Sequence, residues 1–259
     1  MNLRYGVILP GGTAPEQVEQ AILAEHAGWD GVFVPETDYG VDAWSLLAAM
    51  AVATSRVRLG TILTPLPWRR PWKVASQVAT VDQLSGGRAI LGVGVGALDA
   101  GLPGIGSEAD LRTRAEMMDD GIDLMRALWA GKGFEGRHYR CEPPRGDPAA
   151  IAPVQARIPI WVVGVWPRPK SMRRVPRCDG IIPGYEGGPD AVREMTAWLA
   201  EKGVPAGFDV LAEGETSPAE AAAVVAPWAD AGCTWWMETR WTRRDEIRGR
   251  IAAGPPARS

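Results

Sequence analysis

The segment ILGVGVGALDAG, residues 90–101, sets Gly92, Gly94 and Gly96 directly behind an apolar run. Glycines at such a place clear room for a ligand against the main chain, and a dinucleotide phosphate is the first chemistry to test. That chemistry needs a further glycine opening a helix, because the pyrophosphate rests on the free N–H groups of the helix's first turn. Here Gly94-Val95-Gly96 runs into Ala97-Leu98-Asp99, and the next helical pattern begins only near Ser107. The fingerprint fails. Two readings stay open: a strand end stripped of side chains so that something flat can lie near the backbone, or close packing of that strand on its neighbours.

Other chemistry-bearing residues are sparse. The three cysteines, Cys141, Cys178 and Cys233, lie far apart with no C-x-x-C spacing, which argues against a disulfide framework and a zinc site, and no other metal site is expected. There are two histidines: His26 falls on the outer side of the first helical pattern and His138 in a loop. Arg240, Arg243 and Arg244 crowd together near the C-terminus and read as a solvated helix start. With a net charge of −3 and dispersed basic residues, nothing suggests a nucleic-acid footprint.

The elements that must position these residues are regular. Eight apolar runs, 5–10, 31–35, 57–63, 89–95, 158–164, 180–184, 208–213 and 233–238, alternate with helical patterns, as in repeated βα units around a parallel sheet. The first helix carries Thr13 and Glu16 at capping-box spacing around Pro15, and its stripe of Val18, Ala21 and Ile22 is broken by Glu25 before Gly28 stops it. The fourth sets Leu111, Ala115, Met118, Ile122, Met125 and Trp129 on one face, a core stripe and not a cofactor box.

Eight such units in 259 residues fit a (β/α)8 TIM barrel better than a doubly wound sheet, and the whole of 1–259 is expected to form one barrel domain. Residues 131–157, rich in Pro and Gly, form an excursion between units four and five. No stretch reaches the roughly 18 apolar residues a membrane span needs, and residues 1–12 do not read as a signal peptide, so the expected location is the cytoplasm, with no membrane partner.

The segment VRLGTILTPLPWRRPWKVASQVATVDQLSGGRAILGVGVG (57–96), with FEGRHYR (134–140), PIWVVG (159–164) and CDGIIP (178–183), closely resembles the bacterial luciferase-like family of flavin-dependent oxidoreductases, which use reduced FMN or the deazaflavin coenzyme F420. The resemblance covers nearly the whole chain in the right order. It implies a flavin ring across the C-terminal ends of the barrel strands. It also implies a non-proline cis peptide at Ile62-Leu63, following Gly60 and Thr61, to brace that ring, and places Gly94 and Gly96 beneath it. By the same resemblance the turn Gly164-Val165-Trp166 offers backbone N–H groups to the cofactor phosphate, with Arg168 and Lys170 adding charge.

The chain departs from the family at two places. An acidic residue followed by histidine is common after strand two, but here the stretch is Pro35-Glu36-Thr37-Asp38-Tyr39, so the histidine position falls on Thr37. Glu36 is then the carboxylate near the inferred ring. It is read either as a proton donor or acceptor with a pKa raised by shielding from water, or as a loop carboxylate that does no chemistry. At the phosphate turn, small or polar residues give way to Val165-Trp166, whose indole narrows the site or stacks on a ligand. Family enzymes that oxidise sugar phosphates with the deazaflavin tend to carry a glutamate where this chain has Ala97, which argues against that chemistry.

Of the twelve tryptophans, most are expected in packing, with one or two lining an apolar pocket, and Trp235-Trp236 should send one indole into the barrel and one out. The leading expectation is a monooxygenase acting on a small organic substrate with reduced FMN supplied by a separate reductase. The alternatives are hydride transfer with F420, or a flavin-binding or vestigial barrel without turnover, motivated by Thr37 and Val165-Trp166. A phosphosugar barrel without flavin finds no phosphate loop, since 214–219 and 239–244 hold only Gly214. A homodimer is a further expectation of the resemblance.

Overall fold

A computed structural model of the protein describes residues 3–96, 110–184 and 187–256. Ala97 and Ser107, named above, lie outside the described residues. The strands are β1 (Arg4–Ile8), β2 (Gly31–Val34), β3 (Arg58–Pro65), β4 (Ala89–Gly94), β5 (Phe134–Glu135), β6 (Arg140–Cys141), β7 (Ile160–Val165), β8 (Gly180–Gly184), β9 (Asp209–Gly214) and β10 (Trp235–Glu238). All but β5 and β6 close into a parallel barrel in the order β1-β10-β9-β8-β7-β4-β3-β2, so each expected apolar run is a barrel strand. The helices are α1 (Ala14–His26), α2 (Ala43–Ala53), α3 (Pro71–Ser85), α4 (Leu111–Trp129), α5 (Pro148–Ile151), α6 (Pro169–Met172), α7 (Gly188–Glu201), α8 (Ala221–Asp230) and α9 (Ile247–Ala252). The excursion between β4 and β7 holds the small β5-β6 hairpin and α5.

Alternation along the strands sorts side chains into two cores. Ile8, Phe33, Ile62, Ile90, Trp161, Leu211, Trp235 and Met237 fill the barrel, while the outward residues pack under the helices. Trp235 is inside and Trp236 outside, as period-two geometry requires. The lower layers are aromatic: Phe33, Trp161 and Trp235 lie with ring centroids 5.2–5.7 Å apart. Such rings fit only beside residues without side chains, and a Cβ at Gly180 would sit 2.4 Å from Trp161 Cδ1.

The capping box of Thr13 and Glu16 starts α1 as its sequence predicts. Glu25, the residue that breaks the stripe, is buried because its carboxylate accepts the N–H groups of Ser55, Arg56 and Val57 where the chain leaves α2 for β3. Burial raises its pKa, but those donors outweigh it and pull the value down to about 2.

The block Asp82-Gln83-Leu84-Ser85-Gly86-Gly87-Arg88, central to the family resemblance, is structural. Gly86 caps α3 in the left-handed conformation at φ 65°. Buried Arg88 donates to the carbonyls of Ala51, Thr54, Val57 and Ser85, satisfying the exposed ends of two helices. Asp82 receives the N–H and side-chain amide of Gln155, which ties the excursion to the barrel. All of this lies at the N-terminal end of the strands.

Candidate active site

The opposite end is built by β3 and β4. Between Thr61 and Thr64 the pairing of β3 with β4 shifts register, and the Ile62-Leu63 peptide within that bulge is cis. The bulge explains the glycine ladder. A Cβ at Gly92 would lie 2.2 Å from the Thr61 carbonyl oxygen, so only glycine lets the bulged backbone come this close. Gly94 makes way for the Leu63 methyl groups, 3.0 Å from its ideal Cβ, and Gly96, at φ 79°, for the Trp68 indole at 2.7 Å. The space at Gly94 and Gly96 is therefore filled by protein side chains rather than left as a bare floor. Thr61 Oγ1 donates to the Gly92 carbonyl and Thr64 Oγ1 to Thr61 Oγ1, fixing the bulge from behind.

Glu36 sits behind the same bulge. Its carboxylate pairs with Arg69, which also donates to Gln77 Oε1 at 2.7 Å. Burial pushes the Glu36 pKa up, opposed by Arg69 and by the Thr64 hydroxyl. The group faces Arg69, Gln77 and Asp42 on the side of α2 and α3 and is not among the residues lining the mouth cavity described below. Thr37 is exposed and donates to the Tyr39 carbonyl, a local turn contact.

The phosphate turn also differs from its expectation. Val165 N–H donates to Ser171 Oγ at 2.9 Å and Trp166 N–H to the Gly184 carbonyl at 2.9 Å. Both donors are engaged, and Pro167 and Pro169 have none to give. The Trp166 indole packs on Trp198, with centroids 5.8 Å apart, away from the mouth. Gly164 admits Ile181, Val175 and Met172 from the outer layer. What the turn still offers an anion is the side chains of Arg168 and Lys170, both exposed and neither ion-paired among the described residues.

The open space lies across the barrel from β3. The ladder between β8 and β9 stops at Ile181↔Val210, whereas β7 and β8 pair as far as Val165↔Gly184. Pro183 brings no N–H to extend it. Where the two strands part, a cavity of about 390 Å³ opens, lined by Ile62, Ile182, Leu211, Glu213, Trp228 and Met237 among others. That is within the usual range for small-ligand sites, and its lining side chains are apolar apart from Glu213. A larger hollow of about 540 Å³ between α2 and α3, lined by Trp44, Arg69 and Lys73, lies on the outer flank, away from the strand ends.

Glu213 is the residue that sequence reasoning missed. It stands beside Met237 in register and two residues beyond Leu211, so it points into the barrel mouth. Its side chain is exposed to the cavity, and the protein around that cavity raises its pKa by partial desolvation, with no neighbouring charge to oppose the effect. The signal was present in FDVLAE, where period two puts Asp209, Leu211 and Glu213 on one face. Arg240 also departs from expectation: it is buried, bonded to Glu238 and to the carbonyls of Thr216 and Thr239, and is no solvated helix start. Cys178 and Cys233 are buried, with thiols pushed up to about 11 and about 12, far from reactive at neutral pH. No helix among the described residues is long and apolar enough to cross a membrane.

Comparison with known proteins fits this architecture. The chain is 34% identical over 206 residues to a provisionally assigned coenzyme F420-dependent oxidoreductase of Mycobacterium tuberculosis, covering 73% of this chain and 57% of that protein. It is 38% identical over 116 residues to 4-hydroxyprotoasukamycin monooxygenase of Streptomyces nodosus subsp. asukaensis, covering 44% of this chain and 28% of that one. The chain thus spans little more than half the length of the first of these relatives and less of the second. The solved structure of an F420-dependent secondary alcohol dehydrogenase superposes with a TM-score of 0.79 at 18% identity, over 98% of this chain and 97% of that one, a likeness of fold. The family model described as luciferase-like monooxygenase matches residues 4–258, and the closed eight-stranded barrel agrees with it: the chain belongs to the luciferase-like monooxygenase family of oxidoreductases.

Proposed function

We propose that the protein is a deazaflavin-dependent oxidoreductase, transferring a hydride between coenzyme F420 and a small organic substrate bound in the barrel mouth. The observation that carries this reading is the cavity at the parting of β8 and β9, a pocket lined mainly by apolar side chains at the strand ends where barrel enzymes hold their ligands. The 34% identity to an F420-dependent oxidoreductase favours the deazaflavin over FMN.

The residues present fit such a ring system in part. Ile62, Ile182, Leu211 and Met237 offer apolar walls for a planar ring. The main-chain donors of Val165 and Trp166 are taken, so a phosphate tail would be held by the Arg168 and Lys170 side chains. The bound deazaflavin supplies hydride acceptance and donation. The chain's own part is to seat the ring on the Ile62 bulge, to shield the reacting carbon from water with apolar side chains, and to fix the bulge through Thr61, Thr64, Glu36 and Arg69. Glu36 thereby acts as a positioning residue.

The monooxygenase likeness favours a second reading, oxygenation with reduced FMN from a separate reductase. Titration of the purified protein with F420 and with FMN separates the two. Tight F420 binding with substrate-dependent reduction of the deazaflavin supports the first reading. Binding of FMN alone, with oxygen-dependent product formation, supports the second. Binding of neither contradicts both and favours a barrel without turnover. A homodimer and a cytoplasmic location accompany the proposal.

A further inference from the structure

Within the mouth cavity, Glu213 is the one ionisable side chain among the described residues that line it. Its side chain is exposed to the cavity and makes no ion pair and no hydrogen bond among the described residues, whereas carboxylates held within the fold are matched: Glu25 by backbone donors, Glu36 by Arg69, Asp119 by Arg174, Asp209 by Arg4, Glu238 by Arg240 and Arg250. Its neighbours on the inward face, Leu211 and Met237, are apolar and buried. Open to solvent, the Glu213 carboxylate is hydrated; a ligand that fills the cavity strips that hydration, and the carboxylate then needs a donor or a cation in its place.

We propose that Glu213 selects the substrate, and that the mouth takes a small, largely apolar molecule carrying one protonated amine. The ammonium supplies the charge-assisted hydrogen bonds that Glu213 lacks, while Trp228 and Pro183, the apolar lining not taken by the ring, hold the apolar body. The same carboxylate repels phosphate and carboxylate groups at this end of the cavity. Both effects strengthen as the walls exclude water. The inference rests on the proposed function in taking the strand-end mouth as the substrate site, but it concerns binding and requires no turnover.

Calorimetry on the whole 259-residue chain, with and without saturating F420, tests it with three probes of one shape: cyclohexylmethylamine, cyclohexylmethanol and cyclohexanecarboxylate at pH 7. The expected order is amine, then alcohol, then carboxylate, with at least a tenfold gap between the first and last. E213Q should erase that gap, and E213K should invert it so that the carboxylate binds best. Retention of the wild-type order in both variants overturns the proposal, as does a carboxylate that binds the wild type as well as the amine, or the failure of all three probes to bind. F420 and FMN titrations on the same samples keep the two claims apart. Amine selectivity without cofactor binding sinks the proposed function and leaves this inference, and cofactor binding without selectivity does the reverse.

Discussion

Strand β9 carries two carboxylates on its inward face, four residues apart, and the barrel treats them in opposite ways. Asp209, at the N-terminal end, pairs with Arg4, accepts from Trp161 Nε1 at 3.0 Å and from Thr234 Oγ1 at 3.1 Å, and lies beneath the aromatic layer. Glu213, at the C-terminal end, has no partner among the described residues and faces a cavity. Desolvation by the surrounding protein pushes both pKa values up, at exposed Glu213 as at buried Asp209. At Asp209 the cation and two donors offset that effect, whereas at Glu213 nothing does. One end of the barrel spends its polar groups on closure, the other leaves one exposed to whatever enters, which is the division between stability face and ligand face expected of this architecture.

The comparison breaks most readily at its closed end. Asp209→Ala strips Trp161 Nε1 and Arg4 of their acceptor and should cost about 3 kcal/mol in chemical denaturation. A loss under about 1 kcal/mol would mean that the lower end is not held by this cluster. Gly92→Ala should cost about 2 kcal/mol, because its methyl group meets the Thr61 carbonyl and the bulge must move. Its effect on cofactor binding should exceed that of Gly86→Ala, which also destabilises but lies at the far end.

Glu25→Gln should cost about 2 kcal/mol at pH 7 through lost charge-assisted bonds to three main-chain donors. Because the folded pKa is depressed to about 2 from 4.5, that contribution is fully present above 4.5 and fades as pH falls toward 2. Melting curves of wild type and variant should therefore converge in acid, and a constant gap would refute the assignment. The smallest effect belongs to the open end. Glu213→Gln should change stability by less than about 0.5 kcal/mol, since no protein contact is lost. A large loss would expose a hidden structural partner and erase the contrast with Asp209.

These two ends also explain what the amino-acid sequence could reveal. Period-two runs and capping signals located all eight barrel strands and α1, because local sterics and one-sided burial determine them. The glycines at 92, 94 and 96 signalled a close approach, but spacing could not say that the approaching group was the Thr61 carbonyl, Leu63 and Trp68, residues some thirty positions earlier. The expected anion nest failed for a similar reason: Val165 and Trp166 donate to Ser171 and Gly184, and such pairings depend on how a turn folds back on its neighbours. Arg240 reads as solvated until β9 and β10 bring Glu238 and Thr216 to it. Glu213 was legible in principle from strand alternation, yet only the splay of β8 from β9 shows that its end of the strand opens on a cavity.

The central claim is that the cavity bounded by Ile62, Ile182, Glu213 and Met237 holds the ring system and the substrate. Ile182→Trp fills that cavity from β8 without touching the lower cluster, so the most direct measurement is F420 titration of this variant beside the wild type, with circular dichroism and melting to confirm the fold. The account predicts a folded protein whose F420 affinity falls at least a hundredfold. A folded variant that binds F420 as the wild type does would place the ligand elsewhere and contradict it.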